Sequence, residues 1–137
     1  LLATGTGVGP LLSILGTDAP WRRFRRVVLV HAARRLGDLA YGDTLAGIAS
    51  ARPEQFRLVR MLSRETLAGM LAGRIPQAIS DSRIERAAGV TLEAANSQVM
   101  ICGNPAMVAD TTDVLKARGM KKHRRREPGQ ISVENYW

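Results

Sequence analysis

The sequence predicts an α/β domain of three layers, a five-stranded parallel sheet with helices on both faces. Three observations carry that prediction. Short apolar runs alternate with longer amphipathic ones, the pattern of repeated strand-helix units around a parallel sheet. The unbroken run Val27-Val28-Leu29-Val30 suits a strand covered on both sides. A glycine-rich loop, Gly5-Thr6-Gly7-Val8-Gly9-Pro10, lies between an apolar segment and the start of a helical pattern.

Leu1 to Thr4 reads as the first strand. Pro10 to Leu15 begins a helix, with proline in the opening turn where its missing N–H costs nothing. Val27 to Ala32 belongs near the middle of the sheet, and a helix follows over Asp43 to Ser50. The strand Phe56 to Leu62 mixes Phe56 and Leu58 with Arg57 and Arg60, which predicts a sheet edge. Gly73 to Ser80 and Ser82 to Ala88 read as irregular or short helical connections, and Gln98 to Cys102 as another apolar strand. Asn104 then caps a helix with Pro105 in its first turn, along which Met107, Val108, Val114 and Leu115 recur at helical spacing. One more strand closes the chain.

The 137 residues, 45% apolar and 23% charged, suffice for one domain, 1–137, with a real core, and argue against a disordered or fibrous chain. No stretch nears the roughly 20 apolar residues of a membrane span, and no signal-peptide pattern opens the chain. A soluble, cytoplasmic protein without a membrane partner is expected. Leu1-Leu2-Ala3-Thr4 runs straight into the glycine loop, as in a chain cut mid-element. A single cysteine, Cys102, excludes an internal disulfide and fits a reducing compartment. Twenty basic against 12 acidic residues give a net charge of +8, which permits attraction to nucleic acid, anionic cofactors or acidic proteins. Nucleic acid is disfavoured, because no recognition-helix or zinc-finger pattern occurs and the aromatics are few and terminal. The run Lys121-Lys122-His123-Arg124-Arg125-Arg126 is the only charge block, and its plain reading is a solvated approach to the last strand.

Bare amides in the glycine loop, with the positive end of the helix dipole, can hold a phosphate. The spacing G-x-G-x-G-P is neither the G-x-G-x-x-G dinucleotide fingerprint nor a Walker loop, since no G-K-[ST] follows. ATP hydrolysis is therefore not expected, and from the loop alone a tight turn without ligand reads equally well. Sheets that bind NAD carry Asp or Glu roughly 20 residues after the glycines, for the ribose 2′-hydroxyl. Here the chain reads His31-Ala32-Ala33-Arg34-Arg35. A guanidinium there would pair with a 2′-phosphate, which favours NADP over NAD. Ser63-Arg64-Glu65-Thr66 and Gly73-Arg74-Ile75-Pro76 follow, so Arg34, Arg64 and Arg74 are expected to converge at one sheet edge. Singly, each reads more readily as a surface cation; together, beyond adjacent strand ends, they are less easily dismissed. Cys102-Gly103-Asn104-Pro105 puts a thiol at the carboxyl end of a strand, where open α/β sheets bind ligands. A lone buried cysteine is more often core filling, and neither His31 nor His123 has a partner evident in the sequence. Tyr136 and Trp137 at the end read either as a platform docked on something flat or as filling beside the sheet.

Taken in order, Ala3-Thr4-Gly5-Thr6-Gly7-Val8-Gly9-Pro10, His31-Ala32-Ala33-Arg34, Ser63-Arg64-Glu65-Thr66, Gly73-Arg74-Ile75-Pro76, Cys102-Gly103-Asn104-Pro105 and Glu134-Asn135-Tyr136-Trp137 resemble the NADP-binding lobe of plant-type ferredoxin-NADP reductases. The bacterial ferredoxin/flavodoxin-NADP reductase branch is the most similar, and the resemblance runs the whole chain. It implies a lobe of a flavoprotein oxidoreductase that moves a hydride between NADP(H) and FAD and exchanges electrons with ferredoxin or flavodoxin. It also implies that Thr4, Gly5, Thr6, Gly7 and Gly9 cradle the pyrophosphate, and that Arg34, Arg64 and Arg74 hold the 2′-phosphate. Cys102, with Gly103, Asn104 and Pro105, would lie beside the nicotinamide, Glu134 would orient the reacting pair, and Tyr136 would lie against the flavin. Trp137 departs from plant members, which end on the tyrosine, and agrees with the bacterial branch, with a place against the FAD. The family's FAD-binding barrel, with its Arg-x-Tyr-Ser type motif, is expected before residue 1, no metal is expected, and a monomer is. A lobe serving another acceptor, such as an oxygenase, is the alternative.

Overall fold

Six strands form one parallel sheet in a computed structural model that describes residues 1–135. They are β1 (Leu2–Thr4), β2 (Val27–Ala33), β3 (Phe56–Leu62), β4 (Leu71–Ala72), β5 (Val99–Gly103) and β6 (Ile131–Asn135), in the order β4-β3-β2-β1-β5-β6. The helices are α1 (Val8–Leu15), α2 (Ala19–Arg23), α3 (Gly42–Ala51), α4 (Ile75–Ser80), α5 (Arg83–Ala88) and α6 (Pro105–Ala117). Side chains alternate across a strand, so each strand feeds two cores. On one face Leu2, Val30, Val59, Met61, Ile101 and Ile131 pack against α4, α5 and α6. On the other, Ala3, Leu29, Phe56 and Cys102 pack against Val8, Leu11 and Leu15 of α1 and Leu45 of α3. The two cores make the three expected layers.

The sheet has six strands, not five. The extra one, β4, pairs through only Met61↔Leu71 and Leu62↔Ala72, too short to show any alternation in sequence. It also places β3 second from the edge. Because β4 covers only the end of β3, Phe56 to Arg60 still have an open flank, and Arg57 and Arg60 sit there at little cost. Helix α1 begins at Val8, after a single 3-10 turn over Gly5–Gly7, and α2 was not expected. The second helix exists to bring Trp21 onto Phe56, edge to face at 6.0 Å, with the indole N–H donated to the Leu15 carbonyl. Asn104 caps α6, its Oδ1 accepting from the Ala106 N–H at 2.9 Å.

One ion pair ties the α4-α5-α6 layer together. Arg118 reaches Glu85 at 2.8 Å and donates to the Ile79 carbonyl at 2.6 Å, while the Glu85 carboxylate also accepts from the Leu92 N–H at 2.7 Å. Burial alone would raise the Glu85 carboxyl. The bonds from Leu92, Arg118 and Ser82 outweigh it and hold the group below its usual range.

Candidate functional site

With every strand parallel, all carboxyl ends open on one edge, and the order of strands there fixes the order of the loops. Along that edge lie Arg74 after β4, Ser63-Arg64 after β3, Arg34 after β2, the glycine loop after β1, and Asn104 after β5. The chain runs outward from β1 through β2, β3 and β4, then restarts on the other side with β5 and β6. The gap between β1 and β5 is therefore the switch point at which open α/β sheets take ligands.

Close approach governs the residue types in that gap. A Cβ on Gly7 would lie 2.7 Å from both the Cys102 carbonyl oxygen and the Gly103 Cα, so only glycine lets the loop rest on the end of β5. Gly103 holds φ +145°, and a Cβ there would collide with the Thr4 hydroxyl. That hydroxyl oxygen accepts the Asn104 N–H at 3.1 Å, locking the end of β1 to the start of α6. Gly5 and Gly9 differ. A Cβ on either would meet nothing within 4 Å among the described residues, so both border open space at the amino end of α1, called the bay below.

The three arginines stand side by side beyond adjacent strands. The Arg64 N–H donates to the Arg34 carbonyl at 2.9 Å, extending the β2-β3 ladder past its end, and Arg74 precedes α4. All three side chains are exposed, and none makes a hydrogen bond or ion pair among the described residues. Arg83, close by, is otherwise engaged: it bonds the Ala72 carbonyl and pairs with Asp81 at 2.8 Å, its guanidinium lying 3.5 Å from where a Gly73 Cβ would be. Sequence reading missed Glu65 as an organiser. Its carboxylate accepts the Leu36 N–H at 2.7 Å and ties the loop after β3 to the loop after β2. It stands inside a quoted motif, but no spacing rule reveals a bond to a residue 29 positions away.

Cys102 is buried, its side chain on the α1 face. Burial, and secondarily the charge of Glu134 opposite it in the ladder, raise its pKa, so it stays a thiol. Glu134 is exposed on β6. The expectations for Tyr136 and Trp137 lie outside the described residues. His31, which had no evident partner, donates from Nε2 to the Gly5 carbonyl at 3.1 Å. The basic run forms a tight turn, closed by Arg124 and Glu127 and joined to Ile131, on the outer edge of β6. It is fully exposed. Among the described residues no helix is long and apolar enough to cross a membrane.

Comparison with known proteins agrees with this fold. The chain is 45% identical over 138 residues to a flavodoxin/ferredoxin-NADP reductase of Escherichia coli K12, covering all of this chain and 56% of that protein. It is 41% identical to the reductase of the same name from Buchnera aphidicola (subsp. Baizongia pistaciae), of which it covers 55%. The chain thus spans about half the length of the curated relatives it matches. A ferredoxin NADP+ reductase from Neisseria gonorrhoeae, solved with bound FAD and NADP, superposes with a TM-score of 0.92 at 38% identity, covering 99% of this chain and 55% of that one. A cytochrome P450 reductase from Amycolatopsis shares the fold at 28% identity and a TM-score of 0.74, with 98% and 36% covered. The model of the oxidoreductase NAD-binding domain matches residues 1–113, and the chain belongs to that family.

Proposed function

We propose that this chain is the NADP(H)-binding lobe of a cytoplasmic ferredoxin/flavodoxin-NADP reductase. The observation that carries the reading is the row Arg34, Arg64 and Arg74, three guanidinium groups beyond adjacent strands that are unpaired among the described residues, with Arg34 where an NAD-binding sheet would carry a carboxylate. When bound, NADP(H) would supply a hydride, and FAD would take up its two electrons and pass them singly to a one-electron carrier; that chemistry is the cofactors' own.

The chain's part is binding and orientation. Gly5 and Gly9 leave open the bay in which a pyrophosphate would lie, and the N–H groups of Thr6 and Gly9 would donate to it, that of Val8 being already given to the Thr6 carbonyl and Pro10 having none. Gly7, Thr4, Gly103 and Asn104 keep the β1-β5 gap closed at its floor. Pro105 starts α6 just beyond the cap, which turns the chain away from the gap. By family resemblance the end of β5 lies beside the nicotinamide, with the neutral Cys102 thiol buried beneath that strand end rather than open to the ligand, and Glu134, across the ladder from it, would orient the ring. Tyr136 and Trp137, by family resemblance, cover the flavin, which an N-terminal barrel would hold. The exposed cations Lys121 to Arg126, on the β6 side rather than the arginine side, suit an acidic carrier such as ferredoxin or flavodoxin.

Titration of the chain with 2′-phospho-AMP and with 5′-AMP tests the reading, because the pair differs in the 2′-phosphate that the row is assigned to hold. Binding favours the first by about tenfold or more, and Arg64→Ala or Arg74→Ala removes most of the preference, as loss of a charge-assisted bond should. Equal affinity in a folded sample refutes it.

A further inference from the structure

His31 is 1% exposed and lies on the α1-α3 face of β2, in register with Ala3 of β1 and Arg60 of β3. A carbonyl only accepts, so the bond to Gly5 puts the ring proton on Nε2. Nδ1 is then a bare acceptor, with no partner among the described residues. Burial, followed by the charge of Arg60, holds the ring below its usual pKa against the opposing pull of the Gly5 bond. The imidazole is neutral at pH 7.

A pocket of about 300 Å³, lined also by Leu36, Leu39, Ala40, Leu58 and Arg60, lies beside the ring; at 1% exposure the body of the ring is held by packing, which does not by itself orient its polar edge. What fixes its polar edge is the carbonyl of Gly5, a residue at φ +52° whose peptide, lacking a Cβ beside it, turns more easily than any other.

We propose that His31 is a positioning residue for the phosphate-binding loop, holding the Gly5 carbonyl inward so that the Thr6 N–H faces the bay. The trans peptide makes the two directions one: C=O and N–H of the 5–6 unit point opposite ways, so anchoring one aims the other. Thr6 itself is exposed at the mouth of the bay. The proposal rests on the NADP reading, and it assigns a buried histidine, outside the residues set beside the nicotinamide, a share of the pyrophosphate affinity.

The test compares two ligands on the wild-type chain, His31→Leu and His31→Gln. NADP+ carries the pyrophosphate; adenosine 2′-monophosphate does not. His31→Leu weakens NADP+ about 3- to 10-fold, the change expected for one neutral hydrogen bond, and leaves adenosine 2′-monophosphate unchanged. His31→Gln, whose amide nitrogen stands where Nε2 stood, recovers most of the loss. In the wild type the Thr6 amide resonance shifts on NADP+ addition, and in His31→Leu the shift shrinks. If His31→Leu does not fold, His31→Asn replaces it, its shorter amide falling short of Gly5. Unchanged NADP+ affinity in the leucine or asparagine variant overturns the proposal. So does equal weakening of both ligands, or glutamine behaving as leucine. A wild-type chain that binds 2′-phospho-AMP no better than 5′-AMP overturns the NADP reading itself, a separate outcome.

Discussion

Replacing Gly7 and Gly9 by alanine, two positions apart, should damage different properties. Gly7 has φ −60° and ψ −9°, a conformation alanine adopts freely, so any cost is steric. Its methyl would stand 2.7 Å from the Cys102 oxygen and the Gly103 Cα and 2.9 Å from the Cys102 carbonyl carbon. That is roughly 1 Å inside optimal contact. All three are backbone atoms of a buried strand, which cannot step aside as a side chain would. Overpacking of this kind costs about 1–3 kcal/mol. With an unfolding entropy of about 2.1 cal/mol/K per residue, the 137-residue chain should melt about 3–10 °C lower. At Gly9 the methyl meets nothing, and exchanging glycine for alanine inside α1 should stabilise by about 0.5–1 kcal/mol, or raise the melting point by roughly 2–3 °C. The same methyl enters the bay, so NADP+ binding should fall about tenfold, the scale of one lost close contact to a charged group. Circular dichroism melts and calorimetric titration read both quantities on each variant. Gly7→Ala melting at or above wild type would refute the packing argument; Gly9→Ala with wild-type NADP+ affinity would refute the ligand's place.

Two further predictions concern groups outside the bay. Arg118→Met strands the Glu85 carboxylate and should cost about 2–3 kcal/mol at pH 7, the low side for buried pairs because Arg118 keeps 24% of its side-chain exposure. The wild-type group is held below its usual pKa, so its contribution is complete above about pH 4.5 and lost as pH falls through the lower folded value. The penalty of the substitution should therefore shrink in urea titrations repeated at pH 4, and an equal penalty at both pH values counts against the pair. Cys102, buried with a raised pKa, should resist a disulfide reagent at pH 7.5 in the native state and react fully in denaturant. Native reaction at the rate of a free thiol excludes the burial described.

Much of this was legible because the signals were local. The apolar run of β2, the proline after the Asn104 cap and the glycines between β1 and α1 each declare an element within a few residues. Arg34, Arg64 and Arg74 could be set on one edge because a parallel sheet sends every strand's end the same way. β4 escaped notice, since two residues carry no period, and α2 because its five residues, Pro20 and Trp21 among them, are too few to show a repeat. What sequence reading could not reach were partnerships across distance. His31 with Gly5, Glu65 with Leu36 and Thr4 with Asn104 are separated by 26, 29 and 100 residues, and only the fold makes them neighbours.

The position of β1 also sets an order in time. Its β2 neighbour lies 28 residues on, but its other neighbour, Cys102 beside Ala3, is nearly a hundred residues away. Closing a loop of that length costs about 4 kcal/mol of chain entropy, about 1 kcal/mol more than the β2 contact. A growing polypeptide can therefore assemble β1, β2 and β3 and cover them with α1 and α3 while the other flank of β1 stays bare. The arginine row forms early in synthesis, and the floor of the bay only when β5 arrives. Until then the chain holds the parts that recognise a phosphate without the surface that would keep the rest of a dinucleotide, so productive binding waits for the last third of the chain.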